Sequence, residues 1–271
     1  MDFVLQIFSY PFARRAVIAG LLLSVSAALL GVNLVLKRFS MLGDGLSHVS
    51  FGSAAVALAA GVAPLEFSMP IVIIAAFLLL RLKQSSKING DAATVIVSSS
   101  ALAVGITVAT LTTGMNTDIS NFMFGSILAL GKRDVIIATV CSVGIILVYV
   151  LFYQKIFACT FDEDFAYVTG VKTKWYSSIN AILTALTVVI GMKLMGALLI
   201  SSIITFPALS SMRVCKHYKC TVAVAAAVAA IAFSVGLLLS FAFDVPAGAA
   251  VVLTNLFAFL VLSAVGKVKK I

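Results

Sequence analysis

Charge is scarce in this 271-residue sequence: Asp, Glu, Lys and Arg make up only 11% of it, against 62% hydrophobic residues. A soluble domain is nearer a quarter charged and half apolar, so the composition excludes a water-soluble globule. No Walker-type phosphate loop occurs, and energy for any pumping step must come from a partner or an ion gradient. The four cysteines do not form a disulfide framework: Cys141 falls in an apolar run, and Cys159, Cys215 and Cys220 fall in or beside basic loops, where reduced thiols are expected. The opening segment is also a poor secretory signal. In MDFVLQIFSYPFARR the basic pair follows the apolar stretch and no small-residue cleavage site closes it, so the N-terminus is expected to be retained.

What the chain does have is long uncharged runs, at 16–36, 45–65, 92–117, 135–154, 175–192, 194–212, 220–243 and 245–266, with a shorter one at 67–80. A helix needs roughly 20 apolar residues to cross about 30 Å of hydrocarbon. Eight or nine spans therefore fit, and they consume the chain, leaving no run for a separate soluble domain. The expectation is all-α: one polytopic transmembrane helical bundle over residues 1–271.

The net charge of +9 could suggest nucleic acid, but its distribution argues for a membrane instead. With the N-terminus outside, Lys37, Arg38, Arg81, Lys83, Lys87, Lys155, Lys172, Lys174, Arg213, Lys216, Lys219, Lys267, Lys269 and Lys270 fall inside. Arg14, Arg15, Lys132, Arg133 and Lys193 fall outside, an asymmetry that follows the excess of basic residues in cytoplasmic loops. This arrangement requires the short run at 67–80 to cross too, extended through Pro64 and Leu65, which favours nine spans.

Three polar stretches interrupt the apolar pattern. CKHYKC, from Cys215 to Cys220, offers three candidate zinc ligands where a structural site needs four, so it reads as a basic, partner-facing loop. Residues 116–134, outside, hold a 13-residue uncharged run after Asp118 that is too short to cross and fits a re-entrant or interfacial helix. Residues 161–174, inside, place Asp162, Glu163 and Asp164 at one end of a short helical pattern and Gly170 with basic residues at the other, a polarity that suits a helix dipole. Plain solvated connections remain the alternative for both.

Asp44, in GDGLSHVS, is the most informative charge. It lies at the entry of an otherwise uncharged run, with His48 one helical turn later on the same face. A carboxylate inside a bilayer costs about 3 kcal/mol on insertion scales, so such groups face cavities or pathways. Carboxylate and imidazole together suit divalent transition ions. The competing reading has Asp44 capping its helix and His48 bonded to backbone.

The stretches KRFSMLGDGLSHVSFG, NFMFGSILAL, DFAYVTGVK, MKLMGALLISSIITFPALSSMRV and FDVPAGAAVV, in this order, resemble the permeases of bacterial ATP-driven importers for zinc, manganese or iron. The resemblance covers nearly the whole chain. It implies an importer permease of type II-like fold in the bacterial inner membrane, a permease homodimer, a cytoplasmic ATPase subunit and an extracellular or periplasmic metal-binding protein. It also implies that the chain is not catalytic and binds no permanent cofactor, its divalent metal being cargo, with the Leu-Ser-His run closer to the zinc-type members. Asp44 and His48 match the family's metal-path pair. Asp118 and Asp244, at outer ends of spans, are candidates for metal entry, against simple solvation. Pro207, Arg213 and Lys216 match the segment that leads into an ATPase-contacting loop, the first candidate for coupling; Asp164, Ala166 and Gly170, which resemble a coupling helix, are the second candidate for the same contact.

Two rivals remain. A Ser47–His48–Asp44 catalytic group is disfavoured because adjacent residues point about 100° apart on a helix. A gradient-driven transporter is disfavoured by the few ionisable residues within the runs.

Overall fold

The computed structural model describes residues 11–84, 90–112 and 131–268. Within them the chain forms eleven helices: α1 Pro11–Leu36, α2 Met41–Ala59, α3 Pro64–Gln84, α4 Gly90–Leu111, α5 Lys132–Leu151, α6 Tyr153–Phe161, α7 Glu163–Val168, α8 Thr173–Met195, α9 Ala197–Met212, α10 Tyr218–Phe243 and α11 Ala247–Val268. The expected re-entrant segment, Asp118 included, lies almost wholly outside the described residues.

Seven of these helices are long and apolar enough to cross a membrane: α1, α3, α4, α5, α8, α10 and α11. The expected count of eight or nine is corrected accordingly. Helix α2 falls short because Gly43, Asp44, Gly45, Ser47, His48, Ser50, Gly52 and Ser53 dilute its hydropathy. Helix α9 falls short in length, its 16 residues rising only about 24 Å. The run at 194–212 had counted residues on both sides of Gly196, whose φ of +88° ends α8 and turns the chain back; L side chains avoid that conformation and glycine does not.

Ion pairs identify the two ends of the bundle. At one end Lys37, just past α1, meets Glu163 at 3.5 Å and Ser177 near the start of α8 at 3.3 Å. At the other end, Glu66 of α3 pairs with Arg133 of α5 at 2.6 Å, and Asp134 of α5 pairs with Lys193, in the last turn of α8, at 2.7 Å. The α8 members of the two clusters, Ser177 and Lys193, are 16 residues apart, about 24 Å of rise. Helix α2 connects Lys37 to Glu66 and so runs from end to end inside the bundle. Helix α9 does the same, from Gly196 beside Lys193 to Arg213, close to Gly266 at the end of α11. The Lys37 end is the more basic one, the side expected to face the cytoplasm, and the ends are named on that basis.

A continuous apolar core that includes Leu23, Leu30, Leu46, Leu79, Ile200 and Ile203 fills the bundle. The polar side chains buried with it among the described residues are uncharged Ser, Thr and Asn. Tyr218 donates to Asn33 Oδ1 at 2.6 Å, which commits its single hydrogen, so Tyr149 donates to Tyr218 at 2.9 Å. The chain thereby joins α1, α5 and α10 near the cytoplasmic end while satisfying hydroxyls that burial would otherwise penalise. Lys193 is tolerated at the outer end because its partner Asp134 occupies the first turn of α5 while Lys193 occupies the last turn of α8, each sign matching its helix dipole.

Candidate functional site

Helix α2 is buried on most sides, and its open stripe carries Met41, Asp44 and His48, spaced one turn apart. His48 Nε2 lies 3.7 Å from Asp44 Oδ2, within ion-pair range and beyond a hydrogen bond, with the two side chains 31% and 51% exposed. The pair is thus poised on a face that no other described element covers. Ser40 occupies the N-cap of α2 without a side-chain cap bond, so Asp44 sits in the first turn rather than at the cap. Ser47 is fully buried and spends its hydroxyl on the Asp44 carbonyl at 2.7 Å. A Ser–His–Asp catalytic group is therefore not assembled here.

No group of three or more His, Cys, Asp or Glu gathers among the described residues. The CKHYKC loop cannot supply one, because Cys215 and Cys220 are paired as a disulfide with Cα atoms 5.7 Å apart. This corrects the expectation of reduced thiols at these two positions. The chain ends α9 at Arg213 and starts α10 after His217, folding the loop tightly enough to bring the two sulfurs together. Cys141 and Cys159 are free, and burial pushes the Cys159 thiol above its ordinary pKa.

The other sequence candidates scatter. Asp244 is an exposed C-cap residue of α10 with φ +53°, a left-handed position that Asp tolerates better than most residues, and it stands apart from Asp44 at the opposite end of the bundle. Pro207 is buried in the middle of α9 and reaches no surface, while Arg213 and Lys216 are exposed at the cytoplasmic end.

Helix α7 is well built for its six residues. Asp162 caps it by accepting from the Phe165 amide at 2.9 Å. Gly170, at φ +86°, closes it with a Schellman turn in which the Val171 amide reaches the Ala166 carbonyl at 2.9 Å. Ala166 is fully buried against the bundle, and Asp164 is exposed. The outward face carries Phe165, Tyr167 and Val168, between 65% and 82% exposed, with Phe161 and Trp175 exposed nearby. Sequence reasoning found Asp164, Ala166 and Gly170 but missed this apolar knob. It also missed the Lys37–Glu163–Ser177 anchor, because Lys37 and Glu163 are 126 residues apart and nothing local links them.

Comparisons with known proteins agree with this architecture. The chain is 28% identical over 260 residues to the manganese import system permease protein ScaB of Streptococcus gordonii, covering 96% of this chain and 93% of that protein. It is 29% identical over 245 residues to the high-affinity zinc uptake system membrane protein ZnuB of Haemophilus influenzae, covering 90% and 94%. Among solved structures it superposes on PsaBC from Streptococcus pneumoniae in complex with Fab, with a TM-score of 0.85, 27% identity and coverage of 96% and 94%. Residues 9–266 match the ABC 3 transport family, and the chain belongs to that family: a multi-pass membrane permease subunit of an ABC importer, with ATP hydrolysis left to a separate subunit.

Proposed function

We propose that this chain is the permease of an ATP-driven importer of divalent transition metal, with zinc as the favoured cargo and manganese or iron as the alternative, and that Asp44 and His48 line the metal path. The observation that carries the reading is the Asp44–His48 pair, an oxygen and a nitrogen donor on the one open stripe of a helix otherwise buried in the bundle. Two ligands per chain hold a dication weakly, and weak holding suits a path that must release its ion. A second copy of the chain, facing the first across that stripe, completes the coordination with its own pair. The metal-import names of the relatives support the class of cargo and include both manganese and zinc. The Leu-Ser-His run at Leu46 to His48, closer to the zinc-type members of the family, is the basis for favouring zinc.

Coupling to the ATPase is assigned chiefly to α7. Its apolar outward face lies at the cytoplasmic end, beyond the spans, and Glu163 ties it through Lys37 to α1 and through Ser177 to α8. A push on Phe165 and Tyr167 is therefore passed to two core helices. Arg213 and Lys216 flank this contact. The outer end, with Asp244 and Asp118 as candidate cation attractors, receives a metal-binding protein.

The test is reconstitution into vesicles with the cognate ATPase and binding protein, following radiolabelled zinc with manganese and iron(II) as competitors. Uptake that needs ATP and is competed best by unlabelled zinc is expected. Uptake without the ATPase would favour a gradient-driven transporter, and preferential competition by manganese would move the cargo assignment to manganese.

A further inference from the structure

At the cytoplasmic end a cavity of about 790 Å³, to which α2 contributes no residue, opens between α1, α5, α6, α8 and α10. Its size is within the range of small-molecule sites. Its floor is apolar, built from Leu29 of α1 with Val222 and Ala226 of α10, and its rim carries Lys155, Lys219 and Tyr176. No Asp or Glu lines it, and neither lysine makes an ion pair among the described residues. Tyr153 also lines the wall, and its buried hydroxyl has no hydrogen-bond partner among the described residues.

The position sets the depth. Lys155 lies four residues past the end of the α5 span and Lys219 one residue into the α10 span, so both sit at the boundary between hydrocarbon and cytoplasm. The adjoining face of α5 is apolar and exposed, with Leu147, Val150 and Leu151 each more than half open, as a lipid-facing helix requires. Two unpaired cations above an apolar floor at headgroup depth match an anionic amphiphile, with phosphate at the rim and acyl chain below.

We infer that this cavity binds an anionic phospholipid of the cytoplasmic leaflet, its phosphate held by Lys155 and Lys219 and an acyl chain laid along Leu29, Val222 and Ala226. The site is separate from the metal path and does not depend on which metal is carried. It joins α5 to α10 at the point where the Tyr149–Tyr218–Asn33 chain already crosses, so occupancy stiffens the cytoplasmic end of the bundle.

The chain supplies its own reporter. Trp175 is its single tryptophan, and its ring meets Phe152 at 6.1 Å and Tyr176 at 5.3 Å, both of which line the cavity. The full chain is placed in neutral bilayers containing a small fraction of brominated phosphatidylglycerol or, separately, brominated phosphatidylcholine, and quenching of Trp175 is titrated. Roughly fivefold per lysine near the headgroups gives an expected preference of about 30-fold for phosphatidylglycerol, weakening as salt is raised. The double variant Lys155→Gln, Lys219→Gln should lose that preference, and Lys155→Arg with Lys219→Arg should keep it, which separates charge from any folding defect. Equal quenching by the two lipids in the parent chain would overturn the inference. So would a preference that survives the glutamine pair. Absence of quenching by either lipid would mean that a second copy or another protein covers the cavity, and would also overturn it.

Discussion

Replacing Asp44 by Asn removes one negative charge per chain while keeping shape, and the structure sets how much of any effect can come from folding. The Asp44–His48 contact is long at 3.7 Å and half exposed, which places it with ion pairs worth under about 1 kcal/mol. A carboxylate in the first turn of α2 adds about 0.3–1 kcal/mol through the helix dipole. Together these come to less than about 2 kcal/mol, against the 5–15 kcal/mol by which native proteins are typically stable. The variant should therefore insert, remain folded and lower Tm by only a few degrees, since each kcal/mol shifts a chain of roughly this size by about 2–4 °C. Metal transport should respond on another scale. Losing even an outer-shell partner typically costs about 10–100-fold in metal affinity or activity, and a direct charged ligand lost from both copies should cost at least about 100-fold. The assay is initial-rate zinc uptake into vesicles carrying the ATPase and the binding protein, normalised to inserted permease, with thermal unfolding measured on the same preparation. Uptake within about threefold of the parent, below even that outer-shell range, would refute the ligand assignment and leave Asp44 as a dipole-stabilising residue.

The remaining expectations follow from the same geometry. Glu163→Gln breaks the contact to Lys37, a half-exposed pair worth under about 1 kcal/mol, so thermal stability should barely move while metal-stimulated ATP hydrolysis falls; unchanged stimulation would shift coupling to Arg213 and Lys216. Tyr167→Ala with Val168→Ala removes apolar surface that is 71% and 82% exposed, and should weaken copurification of the ATPase subunit by about tenfold if these side chains anchor that interface. In Gly52→Ala the new methyl group runs into the carbonyl oxygen of Ala101, so α2 must move off α4 at a cost of about 1–3 kcal/mol, read as a lower Tm together with lower uptake because the site helix itself is displaced. After reduction, an impermeant maleimide should reach Cys215 and Cys220 only in inverted vesicles, and an Asp244→Cys variant only in right-side-out cells; Cys159, buried and with its pKa raised, should stay silent in both. Labelling of Cys215 from outside would reverse the orientation and remove the α7 contact with a cytoplasmic ATPase.

The helical class and the membrane were legible in the sequence, because hydropathy acts residue by residue and survives without tertiary information. So were the ends of α7: an acidic cap and a glycine at the left-handed position are local signals, and Asp162 and Gly170 stand where the pattern placed them. Asp44 and His48 were legible as a pair because helical spacing alone puts them on one face. The number of helices long and apolar enough to cross a membrane was not. An uncharged run does not reveal that Gly196 breaks it, or that α2, rich in Gly and Ser, is enclosed by its neighbours and needs no lipid-facing hydropathy of its own. The thiols differed for a similar reason: compartment suggested reduction, whereas the 5.7 Å approach of Cys215 and Cys220 depends on how α9 hands over to α10. Contacts across long sequence separations, Lys37 with Glu163, Asp134 with Lys193 and Tyr218 with Asn33, exist only once the bundle is packed, since each joins helices whose neighbourhood no local pattern encodes. Composition and periodicity determined that this chain is a membrane bundle with a charged pair on one helix; only the packing decided that this pair stays open while the rest of its helix is buried.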